Sequence, residues 1–217
     1  MIRGAIFDLD GTLLDSMPLW DTLAEQFLAQ RGIQAPPGLR ALLKPMDMPT
    51  TARYLKERFT LPETPEQLAQ QIDGMAEDAY LHRLPLKAGV RAYLEALRAQ
   101  GVRMCVATAT DRPLVEGALE RLGVLGWFDF VLTCTEVGVG KQRPDIYLLA
   151  LERLGTPREA TVVFEDSPHA LRTAQSAGLR TAAVYEPSAR LEPDAQGALD
   201  AAETVIYAYS KSEVEKL

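Results

Sequence analysis

The sequence predicts an α/β fold, a doubly wound parallel sheet interrupted near its start by a helical insert. From Val90 onward, stretches with apolar residues at helical spacing alternate with short runs of β-branched and small apolar residues, the pattern of parallel βαβ units. Between residues 15 and 82 helical spacing continues but no strand pattern occurs. The predicted strands also run straight into polar residues, as strands do when their carboxyl ends line a binding crevice.

In order, the first strand is the apolar run closing on Phe7, before Asp8-Leu9-Asp10-Gly11-Thr12. Trp20, Leu23, Ala24, Phe27 and Leu28 then mark an amphipathic helix that stops near Gly32. Pro36, Pro37, Pro45 and Pro49 allow only short helices over 34–49, and Thr50–Phe59 and Thr64–Tyr80 read again as helix. Leu84 to Gly89 is the hinge at which the insert returns. Val90, Leu94 and Leu97 share a helical face before a strand over Val102–Ala107, and Leu114 to Leu122 form a helix before a strand at Phe130–Leu132. A helix through Ile146, Leu149, Ala150 and Leu154 leads to a strand at Thr161–Phe164, and a helix over Ala170–Ala177 to one at Thr181–Tyr185. Thr204–Tyr207 is an edge strand and Ser210–Leu217 a short polar helix.

With 217 residues, 47% of them hydrophobic, the chain is long enough for one large domain or for a core with a small accessory domain. A net charge of −7 argues against general affinity for nucleic acid or anionic membrane, because no basic excess exists to neutralise phosphates. No window approaches 18 uncharged apolar residues, and no basic, then apolar leader opens the sequence, so neither membrane spanning nor secretion is expected. Cys105 and Cys134 both sit in apolar runs, as buried thiols of a reducing compartment rather than as nucleophiles. The expected location is the cytoplasm.

Asp8 and Asp10 are two residues apart in extended chain, so their carboxylates can converge on one small volume that needs a cation or a proton. Gly11 lets the backbone turn and Thr12 is placed to cap that turn. An acidic turn is the plain alternative. A calcium loop counted from Asp8 needs glycine and glutamate where Leu13 and Leu19 stand. Three further strand-end loops carry complementary groups: Thr108-Ala109-Thr110-Asp111, Gly138-Val139-Gly140-Lys141 and Glu165-Asp166-Ser167. Singly, each has an ordinary reading: Thr110 as cap of the helix that begins near Pro113, Lys141 as a solvated lysine, Ser167 and Pro168 as cap and first residue of a helix. A nucleotide-binding loop at Lys141 fails, since Thr135 and Gln142 stand where glycine and serine or threonine are required. Together the loops offer acids for a divalent cation, hydroxyl and N–H groups for an anion, and a lysine to balance charge, which suits phosphate chemistry.

These residues resemble the haloacid dehalogenase superfamily of aspartate-based phosphohydrolases, in the branch with a small α-helical cap that includes phosphatases and β-phosphoglucomutase-like enzymes. Its signatures appear in order: Asp-x-Asp-Gly-Thr after an apolar strand at Phe7 to Leu13, Thr108, Lys141 in Gly-Lys-x-x-Pro-Asp, and Glu165-Asp166 in Phe-Glu-Asp-Ser. The resemblance implies a Rossmann-like core over residues 1–14 and 84–217 and a cap over 15–83. It implies Asp8 as nucleophile, Asp10 as acid and then base, and Mg²⁺ held by Asp8, the Asp10 backbone carbonyl and Asp166, with Glu165 contributing through water. It further implies phosphate binding by Thr108, Lys141 and the N–H groups of Leu9 and Ala109, and a small phosphorylated metabolite as substrate. Cap cations Lys44, Arg53 and Lys56 are candidates to meet that substrate, and Asp15 is a hinge or cap residue. The rival activity is a sugar phosphomutase, whose cap histidine would fall near Trp20 and whose Gly-x-x-Arg loop has no match in Lys44 to Arg53. Asp10 speaks against dehalogenation, and a phosphate-binding module without turnover is the third alternative.

Overall fold

A computed structural model describes residues 2–43, 46, 48–189 and 195–214. The chain forms two compact units, Met1–Ser16 with Leu84–Leu217, and Met17–Arg83. Asp15 and Ser16 fall in the first unit, two residues beyond the boundary expected from sequence. The cause is backbone pairing: the Asp15 amide donates to the Pro85 carbonyl at 3.0 Å, and Leu14 bridges Leu86 in antiparallel fashion.

The first unit is a six-stranded parallel sheet: β1 (Gly4–Phe7), β2 (Arg103–Thr108), β3 (Phe130–Thr133), β4 (Thr161–Glu165), β5 (Arg180–Val184) and β6 (Thr204–Ile206), in the order β3-β2-β1-β4-β5-β6. The chain leaves β1 outward through β2 to β3, then crosses back to β4 on the other side of β1. The carboxyl end of β1 is therefore the switch point of the winding, where diverging loops open a crevice. Alternation along β1 sends Ile6 to a cluster with Cys105, Leu132, Ile146 and Tyr147. Phe7 points to the opposite face, stacked on Phe164 at 4.3 Å between ring centroids. Each fully buried side chain of this size contributes about 2 kcal/mol, so both faces are tied down at the residue preceding Asp8.

The second unit is helical: α1 (Met17–Ala29), α2 (Leu39–Leu43), α3 (Met48–Phe59) and α4 (Pro65–His82). Leu23, Phe27, Leu55, Leu68 and Ile72 form its buried faces. Thr64 caps α4 in a capping box: its hydroxyl accepts from the Gln67 amide and the Gln67 side chain accepts from the Thr64 amide at 2.9 Å, with Pro65 at the first helical turn. The short helix α2 falls in the proline-rich stretch as expected.

The first unit continues with α5 (Val90–Ala99), α6 (Arg112–Arg121), α7 (Cys134–Val137), α8 (Asp145–Leu154), α9 (Pro168–Ser176), α10 (Ala195–Asp200) and α11 (Lys211–Val214). The one-turn helix α7 is not expected from sequence, being too short for periodicity; Thr133 and Glu136 close a capping box around it. Tyr207 falls outside β6 and is largely exposed. No helix among the described residues is long and apolar enough to cross a membrane.

Candidate active site

The Asp8 amide donates to the Phe164 carbonyl at 2.9 Å, extending the β1–β4 ladder by one residue, so the Asp8 side chain emerges at the sheet edge. Gly11 follows at φ 73°, a left-handed conformation that glycine adopts without penalty. The amides of Leu13 and Leu14 both donate to the Leu9 carbonyl at 2.8 Å, folding 9–14 into a tight loop at the mouth of β1. Thr12, expected to cap this turn, instead directs its hydroxyl to Asp166 Oδ1 at 3.4 Å.

Asp8, Glu165 and Asp166 are buried, and a carboxylate oxygen from each lies within 4.8 Å of the others. The Lys141 ammonium, 8% exposed, donates to Asp8 Oδ1 and to Glu165 Oε1. Lys141, expected as a site residue, is not the solvated lysine of the plain alternative, because two buried acids hold it. Tyr147 donates its hydroxyl to Glu165 Oε1 at 3.0 Å, and the Ser167 amide donates to Glu165 Oε2 at 3.1 Å. Both oxygens of Glu165 are thus engaged by protein donors. Burial pushes the Asp8 carboxyl up to about 8, with Glu165 and Asp10 adding to the rise and Lys141 opposing it. Burial, then Glu165 and Asp8, hold Asp166 well above the carboxylate range. Burial alone would depress Lys141, but Asp8 and Glu165 outweigh it and keep the ammonium well above its ordinary value. The donors are hard oxygens, buried and short of positive charge, and that chemistry fits a divalent cation such as Mg²⁺.

The loop after β2 supplies the other side of the crevice. Thr108, the last residue of β2, is buried, and its Oγ1 accepts from the Thr110 amide at 3.1 Å. Thr110 does not cap α6, contrary to expectation. Asp111 occupies the cap position without a side-chain cap bond, and the Thr110 hydroxyl donates to Asp10 Oδ2 at 2.5 Å. Asp10 is thus anchored to the loop after β2 while its charge still acts on Asp8. Leu9 is buried beside Asp8, and Ala109 is exposed next to Thr108. Neither Thr110 nor Tyr147 is expected from sequence as a site residue; Tyr147 stands six residues after Lys141, on the helix that follows the lysine loop, and that position is the one signal pointing to it.

In the helical unit two of the three candidate cations have partners within the unit. Lys56 donates to the carbonyls of Leu61 at 3.2 Å and Glu63 at 2.6 Å, closing the turn between α3 and α4. Arg53 lies close enough to Glu66 to help lower its carboxyl, after the dominant effect of Glu66's own backbone. Lys44 lies outside the described residues. Trp20 donates its indole N–H to the Tyr80 hydroxyl at 3.1 Å and lines a cavity of about 460 Å³ with Met17, Leu23, Met46, Met48 and Ile72.

A sequence model of the haloacid dehalogenase-like hydrolases matches residues 2–178. A phosphorylated carbohydrates phosphatase from Thermotoga maritima is 29% identical over 178 residues, 82% of either chain. A probable pseudouridine-5'-phosphatase from Drosophila melanogaster is 30% identical over 192 residues, 86% of this chain and 83% of that protein. The crystal structure of a putative β-phosphoglucomutase from Thermotoga maritima superposes with a TM-score of 0.86 at 27% identity, covering 99% of both chains.

Proposed function

The chain belongs to the haloacid dehalogenase-like hydrolases, and from this premise we propose that it is a Mg²⁺-dependent phosphatase that hydrolyses a small phosphate monoester, of the sugar-phosphate class, through an aspartyl-phosphate at Asp8. The observation that carries the reading is the salt bridge of buried Lys141 to Asp8 and Glu165 beside a third acid, Asp166. A nucleophilic carboxylate must be kept ionised and must be approached by an anion. Lys141 works toward both needs, opposing the rise that burial imposes on Asp8, which a bound cation would complete, and donating to the incoming phosphate.

In the first half-reaction Asp8 forms a bond to phosphorus while the bond from phosphorus to the departing oxygen breaks, and Asp10 gives its proton to that oxygen. In the second, Asp10 takes a proton from water as the water attacks phosphorus. Phosphate leaves and the Asp8 carboxylate is restored. Thr108 and the amides of Leu9 and Ala109 hold phosphoryl oxygens. Asp8 and Asp166, with the Asp10 carbonyl, would hold Mg²⁺, and Glu165 keeps Lys141 and the Ser167 turn in place beside it. When bound, the cation supplies positive charge against the oxygens of the transferring group.

The test is hydrolysis of p-nitrophenyl phosphate. The expected result is activity that EDTA removes and Mg²⁺ restores, and that Asp8→Asn lowers by about 10³-fold or more. Undiminished turnover in purified Asp8→Asn would remove the assigned nucleophile. Likeness to the putative β-phosphoglucomutase from Thermotoga maritima supports a phosphomutase as second reading. Isomerisation of a sugar 1-phosphate primed by a bisphosphate would establish that activity, and accumulation of inorganic phosphate alone would dismiss it.

A further inference from the structure

We propose that Lys87 is a positioning residue for proton transfer by Asp10, acting through the Gly11 carbonyl. The inference rests on the phosphatase reading above.

Lys87 lies in the segment that returns from the helical insert, and its backbone is already tied to the catalytic loop: its amide donates to the Leu13 carbonyl at 2.9 Å, next to the Leu14–Leu86 bridge. Its side chain, largely buried, finds three acceptors for its three ammonium protons. These are the Gly11 carbonyl at 2.7 Å, Glu186 Oε2 at 2.8 Å and the Tyr185 carbonyl at 3.3 Å. Glu186 is fixed in turn, its Oε1 accepting from the Ser188 amide at 3.3 Å and hydroxyl at 3.1 Å. The ammonium is therefore a post set between the end of β5 and the loop after β1.

The peptide it grips lies next to Asp10. Glycine has no Cβ to restrict φ, and the Gly11 amide is tied only on one side, donating to the Leu14 carbonyl at 3.0 Å. Lys87 holds the Gly11 carbonyl, and Thr12, on the other side of that peptide, reaches Asp166. A general acid works only within hydrogen-bond reach of the atom it protonates, and a shift of about 1 Å costs about a hundredfold in rate. A simple tie for stability would weaken the fold but would not touch the proton step selectively.

Leaving-group chemistry separates the two. In the first half-reaction the proton of Asp10 goes to the departing oxygen. A p-nitrophenolate departs without that proton, whereas phenolate and p-methoxyphenolate increasingly need it. The experiment measures kcat/KM with Mg²⁺ on the p-nitrophenyl, phenyl and p-methoxyphenyl phosphates for the wild type, Glu186→Gln and the double variant Lys87→Met/Glu186→Gln. The double variant removes the ammonium without leaving a buried carboxylate unpaired. It is expected to lose about tenfold more on p-methoxyphenyl than on p-nitrophenyl phosphate, because the contribution of the general acid is what fails. Glu186→Gln, which keeps the ammonium on Gly11, is expected to retain the wild-type trend. Should the double variant fail to fold, Lys87→Arg reads the same trend with the charge retained on a longer, planar head, and is expected to steepen it less. An equal fall on all three substrates, or no fall, overturns the proposal. An inactive wild type would overturn the phosphatase reading itself and this inference with it, and is a distinct outcome.

Discussion

Two lysines, one in each unit, show how differently the sheet and the insert use charge. Lys141 is sunk between Asp8 and Glu165, where its ammonium opposes the rise that burial imposes on the Asp8 carboxyl. Lys56 directs its ammonium to the backbone carbonyls of Leu61 and Glu63, at the end of its own helix. One cation is placed against charge and the other against chain ends. The sheet unit therefore gathers complementary buried groups, while Lys56 ties the backbone of the insert, which also holds a largely apolar cavity beside Trp20.

The sharpest way to break this contrast is to remove the two ammonium groups in turn. Lys141→Met is expected to lower kcat/KM for p-nitrophenyl phosphate by about 10³-fold, the scale of losing a preorganised donor at the reacting charge. Asp8 and Glu165 would also lose the counter-charge that they share. A loss of only a few-fold, measured in the folded variant, would mean that Lys141 is a structural tie like Lys56.

How much of this contrast is legible in the sequence depends on the distance in sequence between partners. The strand and helix periods, and Asp8, Lys141, Glu165 and Asp166, are legible because each rests on local pattern or on a short motif, whereas the switch point at β1 follows only from the strand order. Thr110 misleads for the same reason: a hydroxyl just before Pro113 reads locally as a cap, and its true partner, Asp10, lies 100 residues earlier. Thr12 and Asp166 are 154 residues apart. Lys87 likewise has no local feature that names Gly11, and only the winding of the sheet brings them together. In the insert, Lys56 is only a candidate to meet substrate, because a helix-ending lysine and a lysine that meets a ligand have the same sequence appearance.

A second, smaller effect sharpens the electrostatic half of the contrast. With its carboxyl pushed up to about 8, Asp8 keeps a proton in the metal-free fold that it loses near 4 in the unfolded chain. The folded state binds more protons in the window between about 4 and 8, so this group lowers stability as pH rises through that window. Mg²⁺ held at Asp8 would displace the proton, and its apparent affinity should then fall about tenfold for each pH unit below 8 per proton displaced. The rise in Tm caused by Mg²⁺ is therefore expected to be larger at pH 8 than at pH 6, with proton release visible as a buffer-dependent heat in calorimetry. A Tm gain independent of pH would place the cation away from Asp8.

The smallest effect tests the insert's side of the contrast. Lys56→Met removes two hydrogen bonds to carbonyls at the α3–α4 turn while keeping the aliphatic stem, so the expected destabilisation is about 1 kcal/mol. For a chain of this size that corresponds to a fall in Tm of about 2–4 °C. Thermal unfolding measures the first quantity, and kcat/KM for p-nitrophenyl phosphate should stay within about twofold of wild type, the ordinary reach of a change outside the reacting groups. The two readouts must separate: Tm moves and turnover does not. If turnover instead fell as steeply as in Lys141→Met at unchanged Tm, Lys56 would meet the substrate after all, and its contacts with Leu61 and Glu63 would be a resting arrangement that it leaves when substrate arrives.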